Sequence, residues 1–284
     1  MNWDLLLDPL FRLPFVTGLG LAIGLPLLGL YLRMRGEWLA VLGIAQLAAL
    51  GALAASVFAL PGLLGAGAAG VGAVVAKRMG RGGGMGAYVL MLLIGWSLAV
   101  LLLANHPAIE HVGQGLFDGQ LYFADSDHAL ATLVITILGA SLLHRHGQRL
   151  LLARAHPVLA RACAHTRRAH WSFDLLVGIS VGVGILSLGV MAAFALTWVP
   201  AWILFDRARS WRQAQRQVVL IGVLGYAAAF MVALVADQPF GPVCVVGVLG
   251  AGLIMRGLRS RKARAGDPAS AVRQRGQAAC ERPQ

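Results

Sequence analysis

The sequence has little charge and almost no lysine. Charged residues make up 13% of its 284 positions, against about 25% in a typical soluble domain. That composition excludes a water-facing surface over the whole fold. Lysine occurs only at Lys77 and Lys262, and no G-x-x-x-x-G-K-[ST] run is present. The chain therefore has no phosphate-cradling loop of its own, and an ATP-driven step would need a second polypeptide. Cysteine is scarce as well. Cys163, Cys244 and Cys280 lie far apart without C-x-x-C spacing, so neither a zinc site nor a disulfide framework is indicated. The N-terminal stretch carries Asp4 and Asp8 and no basic n-region, which is not the pattern of a cleaved signal peptide.

What the chain has in abundance is apolar length. Hydrophobic residues make up 58% of it, and the mean hydropathy is +0.73. About 20 apolar residues are needed to cross the hydrocarbon core as a helix. Residues 14–32, 38–60, 85–104, 128–143, 217–236 and 240–256 meet that need, and 62–76 is a shorter Gly/Ala-rich stretch. Residues 173–205 are too long for one helix and divide into two near Gly184 to Gly189. The expectation is an all-α, polytopic integral membrane protein of about nine transmembrane helices. Residues 1–13 form an external segment, 14–257 the membrane domain, and 258–284 a disordered basic cytosolic tail.

The 24 Lys and Arg residues set the orientation. Apart from Arg12, which snorkels at the interface, they fall in five clusters: Arg33/Arg35, Lys77/Arg78/Arg81, Arg145 to Arg168, Arg207 to Arg216, and Arg256 onward. These sit on alternate connections, whereas 61–63, 105–127 and 237–239 carry no Lys or Arg and hold Glu110, Asp118, Asp125, Asp127 and Asp237. By the positive-inside rule the N-terminus is outside and the C-terminus cytosolic. The net charge of +12 is explained by this topology and does not imply nucleic acid.

Chemistry-bearing side chains are few. No predicted span carries an ionisable residue in its interior, which argues against a proton-coupled pump, an intramembrane protease or any other enzyme. Gln46 is the largest mid-span polar residue. It either makes an interhelical hydrogen bond or lines a path. Ser56, Ser97, Thr132, Thr136, Ser180 and Thr197 are smaller and are expected to bond back to their own helices. Gly182, Gly184 and position 188, a leucine beside Gly189, belong to a Gly-rich run that either packs closely or breaks to line a path. The external loop groups His106, Glu110, His111 and Asp118, with Asp237 on a later outside turn. A partner-docking loop and a metal relay are both open there, the relay helped if His106 and Glu110 share a helix face at i, i+4. The histidines of 144–170 lie among arginines, and two readings are open there: metal sensing, or a basic amphipathic segment suited to anionic headgroups.

Three stretches resemble the membrane subunit of ABC importers for zinc, manganese or iron. LTWVPAWILFDRAR at Leu196 to Arg209 is similar to the family's helix end leading into its coupling loop. ADQPFGPVCVV at Ala236 to Val246 is similar to its Asp-x-Pro-x-Gly-Pro turn, and GQGLFDGQLYFADSD at Gly113 to Asp127 to its Leu-Phe-Gly loop. The resemblance implies a permease, homodimeric, working with a cytosolic ABC ATPase and an external substrate-binding protein. It would bind no cofactor itself. Arg207, Arg209, Trp211 and Arg212 would face the ATPase, and the outer residues would receive the binding protein. The family's Gly-Asp-x-x-x-His, implicated in the metal path, aligns here with Leu42 and Gln46, so the acid and the imidazole are both replaced. The alternative is a non-transporting scaffold or regulator derived from such a permease. Reporter fusions after Arg81, Asp118, Arg161 and Asp237 should read inside, outside, inside, outside; a cytosolic reading at Asp118 would overturn the topology.

Overall fold

A computed structural model of the protein describes residues 9–79, 85–119, 126–155, 164–205, 208 and 210–265. All regular structure among them is helical: α1 Pro9–Arg35, α2 Ala40–Val57, α3 Gly62–Met79, α4 Met85–Asn105, a 3₁₀ turn Pro107–Ile109, α5 Glu110–Asp118, α6 Ser126–Ala155, α7 Ala164–Leu188, α8 Val190–Leu204, α9 Trp211–Ala236 and α10 Phe240–Ala265. Every expected span coincides with a helix, but the count of nine crossings is not established. Six helices are long and apolar enough to cross a membrane, or seven if α6, bent by 54° between Leu143 and Arg145, counts as one span. The two shortfalls have physical reasons. Helix α8 has 15 residues, about 22 Å at ~1.5 Å per residue, short of a ~30 Å core. Helix α3 is diluted by glycine and alanine and ends in Lys77 and Arg78.

The break expected between Gly184 and Gly189 falls at Gly189. Its φ of 85° is open to glycine and strained for other residues, so α7 stops there and α8 starts anew. Its N–H still donates to the Ile185 carbonyl at 2.8 Å, and its own carbonyl accepts from Ala193 at 3.1 Å. Gly119, at φ 90°, closes α5 against the backbone carbonyl of Leu188. The short helix α5 thereby sits over the α7–α8 break, with α2 and α10 also in contact.

Helix α1 is the centre of the bundle and packs on α6, α7, α8 and α9. On one side α2 carries α3 and α4, and α3 leans on α7; on the other, α9 and α10 pair and hold α8. Most of these seams are backbone-close. A Cβ on Gly178 would lie 2.6 Å from the Gly70 carbonyl oxygen, and Gly51 and Gly65 meet in the same way between α2 and α3. Lipid gives no hydrophobic drive for helices to associate, so small residues that let backbones approach supply the contact instead. Ser56 and Thr197 do bond back to their helices, to the Ala52 and Ala193 carbonyls at 3.0 and 2.7 Å, whereas Thr132 Oγ1 is buried without a hydrogen-bond partner and does not. Large apolar side chains stay exposed along α4 (Leu90, Leu93, Ile94, Leu101) and α6 (Leu130, Leu133, Ile137), a surface for lipid or another subunit rather than water.

Gly70→Val should push α3 off α7 and destabilise the protein by about 1–3 kcal/mol. Gly67→Val, where an added Cβ meets nothing within 4 Å, should be nearly neutral. Thermal unfolding in detergent measures both; equal shifts would mean that the α3–α7 seam does not depend on close approach.

Candidate functional site

The densest chemistry lies at the end of the bundle where α1 and α3 finish and α4 and α7 begin. Helix α1 ends at Arg35, and Gly36, at φ 74°, turns the chain so that Glu37 comes back beside it. Asp174 stands two turns and more into α7. Arg35 Nη1 donates to Asp174 Oδ1 at 2.6 Å and its Nη2 to Glu37 Oε1 at 3.1 Å. Lys77 Nζ donates to Glu37 Oε2 at 2.8 Å and lies 3.6 Å from Asp174 Oδ2. Arg78 Nη2 donates to Asp174 Oδ2 at 2.8 Å, and the Tyr88 hydroxyl donates to Glu37 Oε2 at 3.1 Å. Aromatic rings cover the cations: Arg35 lies 5.1 Å from the Phe173 centroid and Arg78 4.0 Å from that of Trp171.

Three cations thus surround two carboxylates, and the side chain of Asp174 is only 5% exposed. An unpaired carboxylate at that depth would be costly, so the cluster is the condition for burying it. Lys77 and Arg78 also occupy the last turn of α3, where cations oppose the negative end of the helix dipole. Asp174 corrects the expectation that no span holds an ionisable group, because it falls inside the apolar segment Arg168–Leu188. One signal could have found the cluster. Glu37 and Asp174 are acids placed among otherwise basic helix ends, and such an acid needs basic neighbours.

The residues expected to form a path do not gather at one surface. Gln46 is 5% exposed and packs through its backbone on Gly95 of α4, where a Cβ would come within 2.7 Å of its carbonyl carbon. Its Oε1 is buried without a hydrogen-bond partner, so that atom does not make the interhelical bond considered above. An unmet buried acceptor costs about 1–3 kcal/mol. Gly182 faces Ala66 of α3, while Gly184 faces Leu25 of α1 and Ala193 of α8. Leu188 is fully buried and carries the carbonyl against which Gly119 closes.

The segment beginning at Ser210 is anchored on α1. Ser210 caps α9 by accepting from the Gln213 N–H at 3.3 Å, the usual way a serine satisfies a first-turn amide. Trp211 is packed edge-on against Tyr31, with ring centroids 5.0 Å apart. Trp211 Nε1 and Gln215 Nε2 donate to the Tyr31 hydroxyl at 3.4 and 3.3 Å. Trp211 is therefore half-buried, whereas Arg212 and Arg216, one turn apart, are exposed. Arg207 and Arg209 lie outside the described residues.

At the opposite end the outer residues stay apart. His106 precedes the Pro107–Ile109 turn with φ −133° and ψ 78°, so it is not on the helix that carries Glu110, and the i, i+4 pairing does not form. Its Nδ1 instead lies 3.2 Å from the Leu102 carbonyl. Glu110 and His111 are exposed in the first turn of α5, Asp118 ends that helix, and Asp237 caps α9 in the left-handed region. No group of three or more His, Cys, Asp or Glu side chains that could hold a metal occurs among the described residues; Asp125 lies outside them, as do the side chains of Asp118, Asp127 and His128.

Asp174→Ala should leave Arg35, Lys77 and Arg78 facing one another and destabilise the protein by about 3–5 kcal/mol. Replacing Glu37, whose side chain is 20% exposed, should cost less. Unfolding of the purified variants gives the ranking, and a larger loss at Glu37 would contradict the assignment of Asp174 as the centre.

The apolar helices, the capped basic segment before α9 and the Asp-x-Pro-x-Gly-Pro turn into α10 can be set against known proteins. A model of the ABC 3 transport family matches residues 8–255. No curated protein matches in sequence. PsaBC from Streptococcus pneumoniae, solved with a Fab, is similar in fold, with TM-score 0.76 and 16% identity over 88% of this chain and 92% of that one. An inward-facing structure described as a metal-chelate type ABC transporter is similar with TM-score 0.62 and 16% identity, over 92% and 91% of the two chains. The chain belongs to the ABC 3 transport family, as a multi-pass permease subunit that is not itself catalytic and relies on a partner ATPase to hydrolyse ATP.

Proposed function

We propose that this permease imports a divalent transition metal, zinc, manganese or iron, or a chelate of one. The name of one similar structure, a metal-chelate type ABC transporter, supports the class of cargo alongside the resemblance in sequence. In this reading the protein is a homodimer in a bacterial inner membrane, with its N-terminus outside, its C-terminus and basic tail in the cytosol, and 14–257 as the membrane domain. An external substrate-binding protein delivers cargo to the side bearing His106, Glu110, His111, Asp118 and Asp237.

The observation that carries the proposal is the start of α9. Tyr31 holds Trp211 and Gln215 inward, which fixes the helix and leaves Arg212 and Arg216 exposed on its other face. A short, capped, rigid helix start with two outward guanidinium groups suits a groove with an acidic rim on the ATPase. Arg207 and Arg209 extend the same basic stretch. Trp211 acts here by positioning rather than by reaching the partner.

Gln46 and Leu42 limit how cargo is held. An amide offers a carbonyl oxygen but cannot neutralise a divalent ion, and soft or borderline metals favour imidazole and thiolate over it. Contact with cargo inside the membrane is therefore weak and transient, with selectivity left to the binding protein. The same two substitutions favour a second reading, a scaffold that no longer transports.

Proteoliposomes containing the permease and its ATPase should take up manganese or zinc only with ATP and binding protein. Arg212→Glu with Arg216→Glu should cut uptake at least about tenfold and release the ATPase on purification. Retained ATPase would place the contact elsewhere, and no uptake of manganese, zinc or iron, free or chelated, by the intact complex would favour the scaffold.

A further inference from the structure

We propose that the Asp174 cluster is a reversible latch that closes the basic end of the permease, and that Tyr31 connects it to the segment at Trp211. The connection to ATPase binding rests on the docking proposed for α9; the latch itself does not.

The cluster joins parts that are distant in sequence at one level of the bundle: the end of α1, the turn after it, the end of α3, and the starts of α4 and α7. Glu37, Lys77, Tyr88 and Asp174 also line a small recess together with Ile44 and Val177, with room for about one water molecule. Most of the other seams between these helices are apolar and glycine-close, and pulling them apart would expose surface that gains nothing from water. Paired charges differ. Their attraction when buried is offset by the cost of desolvation, and on separation into water each group regains its hydration. A contact of that kind can open and re-form with a small change in free energy, which a gate requires.

A continuous line of contacts leads from the cluster to α9. Tyr31 lies one turn before Arg35 on α1 and is 2% exposed. Its ring is 5.9 Å from that of Phe173, the residue over which Arg35 sits. Its hydroxyl accepts from both Trp211 and Gln215. A displacement of the start of α9 must therefore either move Tyr31 or break two hydrogen bonds. Moving Tyr31 shifts the Arg35 end of the same helix, where the Asp174 carboxylate is held.

The test places a cysteine at Ile44, which is 3% exposed, in a chain whose Cys163, Cys244 and Cys280 are replaced by alanine. A membrane-impermeant maleimide is applied to the basic end of the full chain in liposomes, without cargo or ATPase. Asp174→Asn should raise the labelling rate about tenfold or more, Glu37→Gln should raise it less, and Asp174→Glu should restore slow labelling. Should Asp174→Asn fail to fold, Glu37→Gln carries the same test. Unchanged labelling in whichever folded variant is measured would overturn the latch, whatever the protein transports. With the ATPase bound, Tyr31→Phe keeps the ring and removes the acceptor. At equal amounts of bound ATPase it should abolish the ATP-dependent rise in Ile44→Cys labelling. If that rise persists in Tyr31→Phe, the proposed connection is wrong, and the labelling without ATPase still decides the latch.

Discussion

The buried carboxylate of Asp174 is the constraint around which the basic end of this bundle is arranged. A carboxylate 5% exposed cannot be left to itself, because isolated burial of a charge costs far more than a whole fold has to spare. Arg35, Lys77 and Arg78 all turn inward to meet it, and Glu37 answers the excess of positive charge. Those five side chains decide where α1 may end, how tightly the chain must turn at Gly36, and which rotation α3 and α7 take about each other. The rings of Trp171, Phe173 and Tyr88 then exclude water around the cations. With less water around them, the attraction within each ion pair is stronger and less screened by salt, and so is the desolvation cost that offsets it.

Away from that end, the bundle is held by a different kind of contact. Gly51 with Gly65, Gly70 with Gly178, and Gly225 with Gly247 and Val248 bring backbones together across three seams of small residues. Such seams hold through dispersion and weak polar contacts over a close area, not by removing apolar surface from water. They are geometrically demanding but chemically uniform. Specific register therefore has to come from features that cannot slide: the ionic cluster at one end and the meeting of Gly119 with the Leu188–Gly189 break at the other. A fold secured at its two ends and smooth along its length is suited to small relative movements of whole helices.

Much of this was legible in the sequence, and the reason differs for each part. The helices were found because a membrane span needs a long apolar run, and residues 14–32 or 217–236 can hardly be anything else. The division of 173–205 was legible from its length, and its place from glycine, although only the φ of Gly189 distinguishes it from Gly184. The ionic cluster was not read. Arg35, Lys77 and Arg78 satisfied the positive-inside pattern so well as solvated loop charges that nothing demanded partners for them. Asp174, at the border of a predicted span, looked like a boundary residue. Pairing across 139 positions, as between Arg35 and Asp174, is a property of how helices pack and leaves no local period to detect. His106 and Glu110 show the converse error, since spacing suggested a shared helix face and Pro107 started a separate turn instead.

Charge is thus distributed very unevenly along this permease, and the unevenness bears on any cargo that carries charge itself. The middle of the described bundle offers amides and hydroxyls, with Gln46 Oε1, Thr132 Oγ1 and Ser187 Oγ among its buried atoms without a hydrogen-bond partner. A divalent ion stripped of water there would find no compensating anion, and its desolvation would set a high barrier. A chelated or still hydrated ion brings its own ligands and spreads its charge, so it requires much less of the wall. The carboxylates of the described residues that could meet a cation lie only at the ends: Glu110 and Asp237 at one, Glu37 and Asp174 at the other, the latter two already occupied by Arg and Lys. A free cation arriving at the basic end would have to compete with three fixed positive groups for two carboxylates. Electrostatics therefore favours a cargo of reduced net charge over a bare ion at both the middle and the basic end of the molecule, and it does so independently of which metal is at its centre.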